Sequence, residues 1–297
     1  MAIERGPNSF DYKFVPGATC DEVQTTLEEL NNHNEFKYDP KETSKWVEAK
    51  TDKPKAIALV AHGLNLRPSK MDSLVEVLTE ENIEVLRISL GGHRGSKREG
   101  LFNSHQGWRN EFQAHYCLAL KKASKESLPI YYLGFSLGAL IGLDFLNTQD
   151  FHHIKKMVLI SPASDVHWYS KIPGKLGWIG GRISLPSKNL KEYRSQPSTS
   201  LASYKSMKLS QESLEDMNIN SLNIPTLIYV DPDDELVSLK KIKDRISKNS
   251  LDHWKLSTIS NEGSTLKKTY HHLIVDRPSM GPKVWDRVTT DIKNHFK

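Results

Sequence analysis

Short apolar runs bounded by Gly, Pro and Asn alternate along this chain with longer segments of helical period. No other feature restricts the possible folds as strongly. The runs are Lys55–Ala61, Ile83–Ile88, Ile130–Leu133, Met157–Ile160, Thr226–Val230 and Lys255–Ile259. Most show no alternation of apolar and polar residues, which is the mark of strands covered on both faces and therefore of a mostly parallel sheet. Between them, residues 69–82 carry Met71, Leu74, Val75 and Leu78 at helical spacing, and residues 108–123 carry Phe112, Tyr116, Ala119 and Leu120 in the same way. These segments read as crossover helices. Upstream, Glu35–Tyr38 and Lys45–Ala49 alternate loosely and are expected as edge strands of an antiparallel flank. The first thirty residues carry no assignable element.

One interval breaks the rhythm. About sixty residues separate Ile160 from Thr226, where a crossover needs roughly a dozen. The excess is an insertion, and it is basic: residues 161–210 hold eight Lys or Arg against Asp165 and Glu192, a local charge of +6 in a chain whose total is +5. So small a total does not mark a nucleic-acid binder. At 297 residues, with no repeats, the chain suits one domain bearing an insertion. No apolar stretch approaches the 18 or so residues of a membrane span, and the first twenty residues lack the apolar core of a signal peptide. Cys20 and Cys117 show no metal-ligand or redox spacing, so a disulfide scaffold, a zinc finger and a redox motif are unsupported, and a reducing, cytoplasmic setting is expected.

Gly134-Phe135-Ser136-Leu137-Gly138 follows one apolar run and precedes the apolar helical stretch Ala139–Leu146. A serine on a tight turn between strand and helix projects its hydroxyl, and glycines two residues to either side avoid collision with neighbouring backbone. A hydroxyl becomes nucleophilic when a base takes its proton and a carboxylate orients that base. Asp231, Asp233 and Asp234 lie in an acidic turn after the run Thr226–Val230, at a strand end where open α/β sheets bind ligands. His271 and His272 follow the last run. No phosphate-cradling loop, dinucleotide fingerprint or His-Glu-x-x-His is present, so neither cofactor nor metal is implied.

With these residues the chain resembles the α/β-hydrolases, and among them the monoglyceride lipase, lysophospholipase and carboxylesterase group. The likeness runs from about residue 50 to the end. It rests on His62-Gly63, Gly91-Gly92-His93-Arg94-Gly95-Ser96, the serine turn and the two late loops. It implies an α/β-hydrolase core over 1–160 and 222–297, with a mostly parallel sheet, helices on both faces, and a cap inserted after the sixth strand over 161–221.

In the family the acid stands three residues after a Gly and three before a Val. Here Asp231 replaces that Gly while Asp234 and Val237 match, so the resemblance selects Asp234 and leaves Asp231 and Asp233 as alternatives. An acid five residues after the histidine, Asp276, selects His271 over His272. By the same resemblance, Ser136 is the nucleophile and the backbone N–H groups of Leu64 and Leu137 form the oxyanion hole. His62 and His93 are expected to support loops.

Substrate contacts are expected from Gly63 and, in the cap, from Trp168, Trp178 and Ile179. Pro197–Met217 reads as a lid helix presenting Leu201, Tyr204, Met207, Leu214 and Met217. Aromatics interleaved with Lys171, Lys175 and Arg182 suit either a cover over an acyl tunnel or peripheral contact with anionic lipid. The implied activity is hydrolysis of carboxylic esters such as monoacylglycerols or lysophospholipids through an acyl-enzyme. A thioesterase, an acyltransferase and a non-catalytic binding protein on the same fold are the alternatives.

Overall fold

The structure, a computed structural model, describes residues 20–21, 25–32, 36–96, 98–167 and 183–297. Its centre is a seven-stranded sheet of β1 (Lys45–Val47), β2 (Ala56–Ala61), β3 (Ile83–Ile88), β4 (Ile130–Phe135), β5 (Ile154–Ile160), β8 (Thr226–Val230) and β9 (Trp254–Thr258). The order across the sheet is β1-β3-β2-β4-β5-β8-β9. Every pairing is parallel except that of β1 with β3. The apolar runs become strands because both of their faces are covered. Ile57, Leu59 and Ala61 of β2 pack beneath α3 (His105–Glu126) and α4 (Leu137–Asn147), while Ala58 and Val60 pack against α2 (Asp72–Glu80) and α9 (Pro282–His295). From Leu137 to Leu146 every residue of α4 is buried, as expected of a helix that is apolar all round.

The upstream flank corrects one expectation. Lys45–Val47 is an antiparallel edge strand, but residues 36–39 form no strand. They are held instead by loop contacts: Tyr38 Oη donates to Glu99 at 3.1 Å and the Asp39 N–H donates to the Arg94 carbonyl at 2.8 Å. Among the described residues the insertion therefore follows the fifth strand and not the sixth. The short helix α1 (Leu27–Asn31) is tied to the sheet by Asn31, whose side chain exchanges two hydrogen bonds with the Ser44 backbone.

Between β5 and β8 the described residues form a two-stranded antiparallel sheet, β6 (Ser184–Pro186) with β7 (Ser198–Ser200). The helices α5 (Leu201–Ser213) and α6 (Ile219–Leu222) follow. A helix, α5, lies within Pro197–Met217 where a helix is expected, but its buried face differs from the one expected. Leu201, Ser203, Ser206 and Ser210 face inward toward α3 and α4, and Leu214 lies beyond the helix end. Serines allow the helices a close approach, and their hydroxyls bond back to nearby carbonyls, as Ser206 Oγ does to Ala202 at 2.9 Å. Met207 and Met217 pack against the core.

Cys20 and Cys117 form a disulfide that joins the N-terminal segment to α3 across a sequence separation of 97. The sequence alone offers no support for such a bridge. With the bridge present, the inference of a reducing compartment from cysteine usage falls, because disulfides persist in oxidising surroundings. Among the described residues no helix is long and apolar enough to cross a membrane. Denatured, unreduced protein is expected to show no titratable thiol, and Cys117→Ser is expected to lower stability in urea by about 2–4 kcal/mol. Two free thiols per chain would remove the bridge from the description.

Candidate active site

Ser136 stands between β4 and α4 at φ 50° and ψ −109°, outside the regions an L-residue prefers. Close packing holds it there. A Cβ added to Gly134 would lie 2.6 Å from the Ala139 backbone, and one on Gly138 would lie 2.5 Å from the Ala61 carbonyl oxygen. Both glycines are thus required by the approach of backbone, as the sequence pattern implies. The Ser136 N–H donates to the Ile160 carbonyl and the Gly138 N–H to the His62 carbonyl, both at 2.9 Å. These bonds lock the turn between the neighbouring strands β5 and β2.

His272 completes the first contact: its Nε2 lies 2.9 Å from Ser136 Oγ. Its Nδ1 lies 3.0 and 2.9 Å from the two carboxylate oxygens of Asp234. Asp234 Oδ1 also accepts from the Leu236 and Val237 N–H groups, both at 2.8 Å. Burial pushes the Asp234 carboxyl toward its neutral form. The charge and hydrogen bond of His272, with the two backbone donors, outweigh burial and hold its pKa below the ordinary value. The structure therefore joins Ser136, His272 and Asp234 in one hydrogen-bonded chain.

His271 is not part of that chain, which corrects the expectation drawn from Asp276. Glu235 accepts from both consecutive backbone N–H groups, that of His271 at 3.0 Å and that of His272 at 2.9 Å. With the backbone pinned, the two imidazoles diverge. His272 turns toward Ser136, and His271 Nδ1 meets Asp231 Oδ2 at 3.1 Å. Asp231 is fully engaged in loop support, since it also accepts from the Asp233 and Asn261 N–H groups. Asp276, the residue behind the register match, has another task. It caps helix α8 (Arg277–Met280) and accepts from Tyr193 Oη at 3.0 and 2.9 Å. Asp231, Asp233 and His271 are also the one group among the described residues whose ligand atoms lie close enough to hold a metal ion. The hydrogen bonds just given already account for the placing of Asp231 and His271.

The loop after β2 lies across the turn. A Cβ on Gly63 would come within 2.7 Å of the Phe135 ring and 3.2 Å of Ser136 Cβ, so the loop passes the serine turn too closely for a side chain at this position. Among the described residues the N–H groups of Leu64 and Leu137 make no hydrogen bond. Two histidines hold the loop, as the sequence implies for them. His62 accepts from the Leu90 N–H at Nε2 (3.0 Å) and donates to the Gly63 carbonyl at Nδ1 (2.9 Å). His93 accepts from the Asn65 N–H at Nε2 (2.9 Å). Burial drives both imidazoles toward the neutral form, His93 to a pKa of about 4. Arg94 anchors the His93 loop through Glu99 at 2.6 Å and Glu111 at 2.9 Å, all buried. The sequence pattern did not disclose this ion cluster, nor Glu235, because no local spacing links Glu235 to a histidine loop 36 residues later. Trp168, Trp178 and Ile179 lie outside the described residues.

The sequence model of the family Serine aminopeptidase, S33, matches residues 52–215. The chain belongs to that family, and its sheet is that of the α/β-hydrolase superfamily. It is similar to phospholipase YtpA of Bacillus subtilis (strain 168), 27% identical over 115 residues, or 38% of this chain; the match spans 43% of YtpA, less than half its length. In fold it is similar to a soluble variant of monoglyceride lipase from Saccharomyces cerevisiae in complex with a substrate analogue (TM-score 0.72, 17% identity, 92% of this chain and 96% of that one). It is also similar to Paleococcus ferrophilus monoacylglycerol lipase (TM-score 0.60, 15% identity, 85% and 98%).

The His271–Asp231 pair gives the stability of the chain a dependence on pH. Burial lowers the proton affinity of His271, but the hydrogen bond and charge of Asp231, with the charges of Glu235 and Asp233, raise it overall. A folded-state pKa above about 6.5 stabilises the folded chain fully below that pH, and the gain fades as pH rises through the folded value. His271→Gln is therefore expected to lower the melting temperature more at pH 5.5 than at pH 9. Equal losses at the two values would show that the pair contributes no linked proton.

Proposed function

We propose that the chain is a serine hydrolase of carboxylic esters, working through an acyl-enzyme. The observation that carries this reading is the unbroken hydrogen-bonded sequence from Ser136 Oγ through the His272 ring to a buried Asp234 carboxylate. Ser136 Oγ attacks the ester carbonyl as His272 Nε2 takes its proton, and the carbonyl oxygen becomes an oxyanion. The unengaged N–H groups of Leu64 and Leu137 would receive that oxyanion, a donor of this kind being worth about 2.7–4 kcal/mol in the transition state. Asp234 holds the proton on Nδ1, leaving Nε2 as the base, and stabilises the imidazolium. Collapse breaks the ester C–O bond, and His272 returns the proton to the leaving alcohol. Water then repeats the cycle on the acyl-serine: His272 takes its proton, the acid departs, and the proton goes back to Ser136.

Monoacylglycerols, lysophospholipids and related medium-chain esters are the substrates this reading covers. YtpA, the relative matched in part, is named a phospholipase. Residues 161–221 are assigned as the cap over the acyl chain, and the substrate-facing roles of Trp168, Trp178 and Ile179 rest on the sequence alone. So does a peripheral contact of that basic segment with anionic lipid.

Hydrolysis of a nitrophenyl ester series from acetate to laurate, beside fluorophosphonate labelling, tests the assignment. Ser136→Ala and His272→Ala are expected to lose roughly 10⁴-fold or more in kcat, and His271→Ala to stay within about tenfold of the parent. Activity that survives in His272→Ala but not in His271→Ala would reverse the choice of base. Folded parent protein that neither labels nor turns over any ester would overturn the reading.

A further inference from the structure

Two consecutive acids grip His272 at two different points. Asp234 holds its ring through Nδ1, and Glu235 holds its backbone, Oε2 accepting from the His272 N–H at 2.9 Å. Glu235 Oε1 takes the preceding N–H, that of His271, at 3.0 Å. Each N–H belongs to its own planar peptide unit, so one carboxylate fixes two successive planes and with them the point from which the His272 side chain departs. A bond to the ring alone would leave the ring to follow any shift of its backbone.

The grip is set in a braced turn. The Asp234 N–H donates to the Asp231 carbonyl at 3.1 Å, and Asp234 Oδ1 takes the N–H groups of Leu236 and Val237. The turn is also bonded to the segment that follows β5. There the His167 N–H donates to the Leu236 carbonyl at 2.9 Å, the Ser238 N–H donates to the Asp165 carbonyl at 2.7 Å, and Asp165 pairs with Arg245 at 2.7 Å. β5 is the strand whose Ile160 carbonyl takes the Ser136 N–H. Glu235 is thus referred to the same frame as the serine.

The histidine loop has other anchors on either side of this pair. The Tyr270 carbonyl accepts from Asn261 Nδ2 at 2.7 Å and from the Leu273 N–H at 3.0 Å, and Asp276 accepts from Tyr193 Oη. Between these anchors, Glu235 is the acceptor of both the His271 and the His272 N–H. Loss of its carboxylate would leave the loop attached and free residues 271 and 272 to shift. Reacting groups need placement within about 0.5 Å, so such a shift falls on the chemistry before it falls on the fold.

We propose that Glu235 is a positioning residue for the base: its carboxylate holds the 271–272 backbone where the His272 ring, and not the His271 ring, reaches Ser136 Oγ. The proposal rests on the ester-hydrolase reading, in which His272 is the base.

The test measures nitrophenyl butyrate hydrolysis in the parent, Glu235→Ala and Glu235→Gln, with kcat referred to sites titrated by a fluorophosphonate so that folded sites alone are counted. The Gln variant keeps the volume of the side chain and one acceptor oxygen, and reads the effect on a folded chain even where Ala lowers stability. Glu235→Ala is expected to lower kcat on the order of 10²-fold with KM close to that of the parent. The plateau of the pH profile is expected to fall while its midpoint stays in place. In the His271→Ala background the loss is expected to persist in full; in the His272→Ala background it is expected to vanish, since nothing is left to position. An unchanged kcat in both variants, a full plateau regained at another pH, or an equal loss without His272 would overturn the proposal. The midpoint shift would assign Glu235 a role through charge, and the equal loss a role in the fold.

A second arm needs no turnover. The downfield proton resonance of His272 Nδ1, assigned by its absence in His272→Ala, is expected in the parent and is expected to broaden or disappear in Glu235→Ala. If no ester is cleaved yet this resonance depends on Glu235, the positioning role stands and the hydrolase reading falls. If the resonance is the same with and without the carboxylate, the positioning role falls.

Discussion

Ser136 is held at φ 50° and ψ −109°, a backbone conformation that costs on the order of 1–3 kcal/mol and persists only where its surroundings over-determine it. The surroundings here are two bare backbones. Gly134 lies against Ala139, and Gly138 lies against the carbonyl of Ala61 in the adjacent strand. Because β2 and β4 are paired in register, Ala61 beside Gly134, the sheet itself sets the distance between the serine turn and the loop that leaves β2. The strained turn, the loop carrying Leu64 and the carboxyl ends of β5 and β8 are thereby parts of one rigid edge. The side chains placed on it inherit their spacing from strand pairing.

That edge carries acidic and basic groups with little freedom to titrate into other roles. His62 and His93 are kept neutral by burial, which leaves each with one donor and one acceptor nitrogen, matched to the backbone groups they brace. Asp234 is kept charged by two backbone donors and His272. Environment, not residue type, divides the histidines into those that brace a loop and the one that meets Ser136 Oγ. The Arg94 cluster serves the same end at one remove, since Glu111 ties the His93 loop to α3 and also takes the Gly91 N–H, while Glu99 ties it to the segment before α3. A buried triad of this kind is weak evidence for stability but a strong restraint on where a loop can sit.

Much of the sheet is legible in the sequence because period and burial agree: Ile83–Ile88 and Thr226–Val230 are strands over those same residues. The serine turn is legible for the same reason, its two glycines and flanking elements being local. The misreadings share a cause. His271 and His272 differ by one position, and their rings meet different partners from another loop, Asp231 for His271 and Asp234 for His272, while Glu235 holds both backbone N–H groups. Asp276, which gave the register, answers to Tyr193 and to its own helix. Residues 36–39 alternate like a strand but have Arg94 and Glu99 as partners and not a ladder. The Cys20–Cys117 bridge spans 97 positions without a motif. Contacts made across the fold leave no spacing to read.

Asn65 shows how far the insertion and the chemistry are one structure. Its side chain is saturated by the backbone of Gln196 and by Thr199, its N–H is held by His93, and its carbonyl accepts from the Ser195 N–H at 3.2 Å. Arg67 N–H bonds the Tyr193 carbonyl at 2.8 Å, and Ser195 Oγ bonds the His93 carbonyl at 2.9 Å. Residues 193–199 are therefore sewn to the loop that presents the Leu64 N–H. Movement of this part of the insertion would drag that loop with it. These bonds hold residues 193–199 in a fixed relation to the loop that carries Leu64.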